Sequence, residues 1–218
     1  MPDHRCAARF RLILLVVVGL LLAACGKAPL HQQESFVFGT RVEILIAGLD
    51  DARARPAAAA VLREFDRLHR TYHAWQPSEL SELNAAIAAG RPHTVTPEFA
   101  AFIADAQRLS ALGDARFDPG IGGLIRLWGF QSDEFKPVLP DPDGLAAWRA
   151  ARPGIADLKV DGVEVSSGNR QVALDFGGYL KGVALDRAAE ILHSQGVQNA
   201  LINIGGNVLA LGSKGDQP

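Results

Sequence analysis

The sequence predicts an α+β protein with one domain of ordinary size behind an N-terminal leader. Stretches with apolar residues at helical spacing follow short stretches in which apolar and polar residues alternate, and these patterns indicate helices and strands in one chain. Double glycines mark two of the predicted changes between elements. The chain after the leader has the length of a single domain.

The first 24 residues are typical of an export signal. Three arginines precede an uninterrupted apolar run over residues 12–24, which is too short to prefer a membrane-spanning helix. The run ends in small residues before Cys25, an arrangement similar to the lipobox of bacterial lipoproteins, in which the cysteine is acylated. An ordinary cleavable signal and an anchor helix with an incidental cysteine are the alternatives. We expect lipidation at Cys25, a polar tether over residues 25–35 and a domain over residues 36–218.

Cysteine content and charge exclude several classes of protein. Of the two cysteines, Cys6 lies in the leader and Cys25 is the expected lipid anchor, so none is left for a disulfide, a thiolate metal site or a nucleophile. The formal net charge of -2 gives no sign of nucleic-acid binding. A lipid anchor implies the periplasmic side of a bacterial envelope, and we expect the inner membrane.

Start and stop signals predict the elements in order. An alternating stretch at residues 36–46 predicts one strand with a glycine near its start. Three helices follow, beginning at Pro56, Ser78 and Thr96 and ending near Tyr72, Gly90 and Gly113. A short helix is expected at residues 143–152, and turns at residues 161–162 and 166–169 predict a meander of short strands.

Residues 172–209 carry the strongest functional signal. An apolar strand is expected to end at Asp175, and Gly177-Gly178, an amphipathic helix, a second strand and Gly205-Gly206 follow. Glycine lets a ligand approach the backbone closely, and a helix N-terminus suits a phosphate. A purely structural role of these glycines, as turns between a strand and a helix, is the alternative. Four polar residues flank these turns: Asp175, Lys181, Asp186 and Asn207. We expect Asp186 in the first turn of the helix, where a carboxylate is favourable. Lys181 is expected either to balance a pyrophosphate or to lie in solvent.

Two further segments hold candidate site residues. Asp118 precedes a proline, and its carboxylate is expected either to cap a helix near Ile121 or to bind a polar ligand group. Trp128 and Phe130 are expected in the core, with a place beside a planar ring as the alternative.

The pattern leaves open whether Tyr72 and Trp75 stack on a ring or pack at a helix corner. His69 and His73 have a zinc-chelating spacing, but without a third ligand nearby a solvated surface is favoured.

Five segments in order resemble the successive motifs of the ApbE family: FGT at residues 38–40, WQPSELSELN at 75–84, ARFDPGIGGLIRLWGF at 115–130, LDFGGYLKGVALD at 174–186 and NIGGNVLALG at 203–212. Family members are FAD:protein FMN transferases. The resemblance implies an ApbE-like, T-fold-related domain with helices packed on a mixed or antiparallel sheet. It also implies Mg²⁺-dependent transfer of FMN from FAD to a Thr or Ser hydroxyl of an exported acceptor flavoprotein, with release of AMP.

The resemblance implies partners and alternatives as well. Typical acceptors are subunits of membrane redox complexes of the NADH:quinone reductase or Rnf type. A membrane-tethered flavin-binding or flavin-storing lipoprotein without transferase activity is the alternative from another class. A generic solute-binding lipoprotein is a weaker option, because it needs two similar α/β lobes and the sequence has one such region.

Motif position also assigns residues. The backbone carbonyl of Leu180 is implied as a Mg²⁺ ligand, where the family commonly has a small residue. Gly120 replaces a Thr or another residue, which implies a looser turn. The family continues beyond the motifs present here with His-x-x-Asp-Pro and Ala-Asp-x-x-x-Thr segments, so we expect a C-terminally truncated domain with weak or absent catalysis and with catalytic residues outside the sequence given. The implied FAD contacts are Phe38, Trp75, Ala115, Arg116, Phe117, Asp118, Gly177 and Val183.

Overall fold

Two antiparallel sheets and six helices make up the part of the chain that the computed structural model describes, residues 29–132, 134 and 139–213. This confirms the α+β class. The strands are β1 (Leu30–Val37), β2 (Thr40–Ala47), β3 (His93–Thr94), β4 (Leu158–Asp161), β5 (Glu164–Ser167), β6 (Asn199–Ile204) and β7 (Asn207–Leu211). The helices are α1 (Asp51–Thr71), α2 (Glu79–Ala88), α3 (Pro97–Leu112), α4 (Gly122–Leu127), α5 (Pro142–Ala151) and α6 (Tyr179–Ser194), with a 3₁₀ turn at Ile155–Asp157.

The larger sheet has the strand order β1-β2-β6-β7, and every neighbouring pair is antiparallel. Ile44 pairs with Ile202, and Val42 pairs with Ile204, so the two central strands place fully buried side chains on one face. Helices α1 and α6 pack against each other and against this sheet. Their buried faces enclose the main hydrophobic core with the sheet.

The chain enters the domain earlier than the sequence predicted. β1 begins at Leu30 and pairs along its whole length with β2, so residues 30–35 of the expected tether belong to a strand. The expected single strand at residues 36–46 covers the end of β1, the turn and most of β2. Phe38 and Gly39 form its turn with φ of +56° and +67°, as a type I′ hairpin requires. The polar residues of β1 gave no core signal because they lie on an edge strand, where Gln32 donates to Glu43 across the hairpin.

Helix boundaries match the predicted signals with one exception. Ser78 and Thr96 cap α2 and α3 through their side-chain oxygens, and Gly90 follows α2 with a φ of +70°. α1, however, begins at Asp51 rather than at Pro56, because the Asp50 side chain caps it, and the proline lies inside the helix. The expected short helix is α5. Of the predicted meander, only the hairpin of β4 and β5 forms, and the third strand of its sheet is β3, which was not predicted.

The segment before α6 is not the strand that the sequence predicted. Residues 172–175 join neither sheet and form one isolated bridge, between Ala173 and Ile121. The Asn84 side-chain amide donates to the Leu174 carbonyl at 2.9 Å and accepts from the Leu174 N–H at 2.7 Å. A side chain and the loop before α4 therefore satisfy this buried backbone in place of a neighbouring strand.

The expected signal segment and Cys25 lie outside the described residues. Within the described ranges, no helix combines the length and the apolar character needed to cross a bilayer.

Candidate functional site

The N-terminus of α6 opens onto the surface at the first double glycine. Gly177 and Gly178 are exposed, and a side chain added at Gly178 would meet open space. The Asp175 carboxylate accepts the Gly177 N–H on Oδ1 and the Gln131 side-chain N–H on Oδ2, each at 3.0 Å. The turn therefore combines accessible backbone, the positive end of a 16-residue helix and a carboxylate with a fixed orientation.

A cleft of about 240 Å³ lies between the β1–β2 turn, the end of α1 and the start of α6. It brings together four of the predicted site residues: Phe38, Trp75, Gly177 and Leu180. Leu180 is 3% exposed and also belongs to the hydrophobic core. The remaining lining residues are Phe36, Val37, Gly39, His69, Tyr72, His73, Ala74, Gln76 and Asp175.

Tyr72 and Trp75 have different surroundings. Tyr72 is 2% exposed, and its ring contacts those of Phe99 and Phe102 at centroid distances of 5.0 and 5.4 Å. Trp75 is 42% exposed and presents its ring at the cleft. Tyr72 therefore packs at the helix corner, whereas Trp75 has free surface on which a planar ring can stack.

A row of rings forms one wall of the cleft. Phe38 contacts His69 at 5.7 Å, His69 contacts His73 at 4.9 Å, and His73 contacts Trp75 at 4.3 Å between ring centroids. Burial lowers the pKa of His69, which favours an uncharged His69 ring near neutral pH. His73 is 8% exposed, so the expected solvated face is wrong for this residue. Within the described ranges, no group of three or more His, Cys, Asp or Glu side chains is placed to hold a metal ion.

A larger cleft of about 840 Å³ adjoins the first and shares Ala74 and Trp75 with it. Arg126 and Arg170 line it, and its described lining residues include no Asp or Glu, so this cleft is positively charged. Gln131 lines it too and donates to Asp175, which connects the two clefts. None of these three residues was assigned a site role from the sequence: Arg126 lies within the third motif segment but was given no contact there, and Gln131 and Arg170 lie outside the five segments.

A third, shallow cleft of about 400 Å³ lies on a different face of the first two turns of α6. Phe117 and Val183 line it, so these two predicted contacts are separate from the Trp75 cleft. The Phe117 and Tyr179 rings are 6.3 Å apart, and the Tyr179 hydroxyl donates to Asp105 at 2.9 Å. Burial, together with the Asp105 carboxylate, raises the pKa of Tyr179.

The polar residues beside the glycine turns do not converge. Asp186 lies in the second turn of α6, because the helix begins at Tyr179, so the expected first-turn position is wrong. It lines the third cleft, whereas Lys181 and Asn207 line none of the three clefts. Lys181 is partly buried, and Asn207 is the exposed first residue of β7.

Asp118 has a structural role in the loop before α4. Its Oδ1 accepts the backbone N–H of Gly120 at 2.7 Å and that of Ile155 at 2.9 Å, and it does not cap α4. The loop is tight rather than loose, because a Cβ at Gly120 would lie 2.3 Å from the Ile155 nitrogen. Ala115 and Arg116 are exposed in the turn after α3 and line none of the three clefts.

Trp128 and Phe130 are not core residues. They are 41% and 57% exposed, because α4 is only six residues long and ends at Leu127 on the surface. Neither ring lines the three clefts described above.

Comparison with known proteins adds to this geometry. The model of the ApbE family matches residues 38–218. An FAD:protein FMN transferase of Rhodobacter capsulatus is 38% identical, over 99% of this chain and 42% of that protein. Another from Vibrio cholerae serotype O1 is 30% identical, over 90% of this chain and 59% of that protein.

Solved structures give the same result. The ApbE protein from Thermotoga maritima superposes with a TM-score of 0.75 at 27% identity, over 84% of this chain and 59% of that chain. The flavin transferase ApbE from Vibrio cholerae superposes with a TM-score of 0.76 at 26% identity, over 88% of this chain and 62% of that chain. These neighbours confirm the ApbE-like fold. This chain spans 42% to 62% of the length of the four relatives described.

Proposed function

Since this chain belongs to the ApbE family, we propose that it forms the flavin-binding part of an FAD:protein FMN transferase. In the proposed reaction, the hydroxyl oxygen of a Thr or Ser on an acceptor protein forms a bond to the FMN phosphorus of FAD. The pyrophosphate P–O bond breaks, AMP leaves with the electron pair, and the hydroxyl proton passes to a base or to solvent.

The observation that carries this proposal is the placement of two clefts, each with aromatic lining residues, on different faces of the start of α6. Trp75 presents a half-exposed ring in one cleft, and Phe117 and Tyr179 line the other. FAD has two ring systems joined by a pyrophosphate. We assign the flavin ring system to the Trp75 cleft, the adenine to the cleft lined by Phe117, and the pyrophosphate to the exposed Gly177-Gly178 backbone between them, where the helix N-terminus favours negative charge.

The residues of the Trp75 cleft suit Mg²⁺ in part. The Leu180 carbonyl and the Asp175 carboxylate belong to residues of the same cleft, and Mg²⁺ prefers oxygen ligands. Proteins usually hold this ion through one or two carboxylates together with substrate phosphates, which matches a small donor set beside a pyrophosphate. When bound there, Mg²⁺ neutralises charge on the phosphates. The buried Leu180 side chain agrees with a role for its carbonyl alone.

We assign the acceptor to the larger, positively charged cleft. It shares Trp75 with the flavin cleft and reaches Asp175 through Gln131, so a segment bound there lies next to the proposed pyrophosphate position. The proposed acceptors are exported flavoprotein subunits of NADH:quinone reductase or Rnf-type complexes. The lipobox-like Cys25 motif supports an enzyme anchored on the periplasmic side of the inner membrane.

The first test measures FAD binding. We expect Trp75→Ala to weaken FAD affinity roughly tenfold, because stacking of a ring on an aromatic side chain is worth about 1–3 kcal/mol. Trp128→Ala is the matched control, since Trp128 is equally exposed and lines none of the three clefts. Titration of flavin fluorescence gives both dissociation constants, and equal affinities for the two variants would contradict the proposed cleft.

The second test separates transfer from storage. The chain is incubated with FAD, Mg²⁺ and an acceptor subunit, with the Rhodobacter capsulatus relative as positive control. A covalently fluorescent acceptor together with AMP supports the transferase. Retained FAD without AMP or labelled acceptor supports a membrane-tethered flavin-binding lipoprotein. The observation that suits this second function is the Trp75 cleft itself, because binding of a flavin ring there requires no transfer.

A further inference from the structure

The loop that carries Trp75 is closed by one residue, His73. This loop joins α1 to α2. The His73 carbonyl accepts the Ser78 hydroxyl at 2.6 Å, and Ser78 is also the residue that caps α2. The His73 ring nitrogen Nδ1 accepts the backbone N–H of Gln76 at 3.2 Å and that of Trp75 at 3.4 Å. His73 therefore ties the loop through both its main chain and its side chain.

These bonds define the chemical form of the His73 ring. A backbone N–H can only donate, so Nδ1 must be the unprotonated nitrogen, and the hydrogen of the neutral ring is on Nε2. The Gln76 bond has the better length, and the Trp75 bond is long and weaker. The His73 ring also contacts the His69 ring, and the His69 ring in turn contacts the Phe38 ring.

The same imidazole also contacts the Trp75 indole. The two rings meet at 4.3 Å with an interplanar angle of 73°, so one ring packs edge-on against the other. Trp75 is otherwise half-exposed. An indole on a free loop loses side-chain and backbone freedom when a ligand stacks on it, and this loss weakens binding. A loop that is already fixed avoids most of this loss.

We propose that His73 is a positioning residue for flavin binding: its Nδ1, by accepting the two loop N–H groups, holds the Trp75 ring in the orientation in which a flavin ring system stacks. The inference rests on the proposed function, since it deepens the role of the Trp75 cleft. His73 acts through Trp75 and is not assigned a direct contact with FAD.

Two substitutions separate the acceptor from the ring. In His73→Asn, the side-chain oxygen occupies the same position along the side chain as Nδ1, and such amides accept backbone N–H groups two or three residues on. In His73→Phe, a ring remains beside Trp75 but the acceptor is lost. We expect His73→Phe to weaken FAD affinity about fivefold to tenfold, because loss of the Nδ1 acceptor frees the loop. We expect the FAD affinity of His73→Asn to lie within about twofold of that of the wild type.

A double-variant cycle provides the decisive measurement. FAD affinity is measured by flavin fluorescence for the wild-type chain, Trp75→Ala, His73→Phe and the double variant, after circular dichroism has confirmed that each is folded. If His73 acts through Trp75, His73→Phe causes no further loss in the Trp75→Ala background. A further loss there, or wild-type affinity in His73→Phe alone, would overturn the inference.

The cycle also distinguishes this inference from the proposed function. Unchanged FAD affinity in Trp75→Ala would overturn the proposed flavin cleft, and the inference with it. A loss in Trp75→Ala combined with no effect of His73→Phe would overturn the inference alone. Failure of His73→Asn to recover affinity would show that the ring, rather than the acceptor nitrogen, is needed, and would also overturn it.

Discussion

At the scale of single residues, close backbone approach at Gly120 fixes the loop before α4. A Cβ at this position would lie 2.3 Å from the Ile155 nitrogen, 2.5 Å from the Gly154 carbonyl carbon and 2.9 Å from Asp118 Oδ1. The first two atoms belong to the backbone and cannot move aside as a flexible side chain does. Gly120 is therefore required for packing here, although its φ is not in the left-handed region.

Gly120→Ala is expected to lower the free energy of unfolding by about 1–3 kcal/mol, the usual cost of adding volume to a packed site. Gly168→Ala is the matched control, because Gly168 is exposed in a loop and its Cβ would meet open space. Urea unfolding of both variants measures the difference. A Gly120→Ala variant as stable as Gly168→Ala would show that the loop can open.

Motif position assigned Phe38 and Trp75 to one site, and both line the same cleft, whereas the surface position expected for His73 was wrong. Its helical spacing from His69 predicted a shared surface, yet His73 lies beyond the end of α1, in the loop, where its ring bonds to nearby backbone N–H groups. Such bonds depend on the path of the loop, which no spacing rule describes. The expected helix cap by Asp118 was wrong for the same reason, since one of the partners of its carboxylate, Ile155, is 37 residues away.

At the scale of elements, hydroxyl and carboxylate caps decide where helices begin. Ser78 and Thr96 were predictable because each precedes a polar first turn or a proline. The start of α1 was placed too late because Pro56 is a good first helical residue, so the earlier cap at Asp50 was overlooked. Asp50 accepts the Arg53 N–H at 3.0 Å as the cap, so the helix begins at Asp51, five residues before the proline.

Asp50→Ala should destabilise the fold by about 1 kcal/mol, because one N–H of the first turn loses its acceptor. Asp50→Asn keeps an acceptor of the same shape and should cost only a few tenths of a kcal/mol. The thermal unfolding midpoints of both variants test this. Equal losses would indicate that the charge of Asp50, rather than its capping bond, stabilises α1.

Strands were the less predictable elements. β6 has buried residues at alternate positions and was expected, and its pairing with β2 follows from their shared inner face. β1 is polar on its outer face, so its sequence predicts a tether unless its partner strand is known. Residues 172–175 are apolar and read as a strand, but Asn84, distant in sequence, satisfies the Leu174 backbone in place of a strand.

At the scale of the whole molecule, one carboxylate links three helices. Glu98 of α3 accepts two hydrogen bonds from the Arg67 guanidinium of α1, at 2.8 and 2.9 Å, and a third from the Tyr72 hydroxyl at 2.9 Å. Arg187 of α6 lies 3.6 Å away. Burial alone would raise the pKa of Glu98, but these donors and positive charges outweigh burial and lower it.

This link predicts the acid sensitivity of the fold. Because the pKa of Glu98 is lower in the folded state than in the unfolded chain, its stabilising effect is complete above the ordinary value of 4.5 and is lost as the pH falls through the folded value. Glu98→Gln should therefore lower the unfolding midpoint at pH 7, and its difference from the wild type should narrow towards pH 3. The exposed Glu82→Gln on α2 is the control, and a difference that is independent of pH would contradict the prediction.

The position of α6 between two ring-binding clefts has a consequence for turnover. In the proposed complex, FAD occupies both clefts at once, and its pyrophosphate acts as a short tether that gives each end a high effective concentration at its own cleft. This chelate effect makes FAD bind more tightly than either half alone. Cleavage of the pyrophosphate cuts the tether, so AMP and the flavin attached to the acceptor each keep only one cleft. The reaction would therefore weaken the binding of its own products, and their release would need no separate opening of the protein.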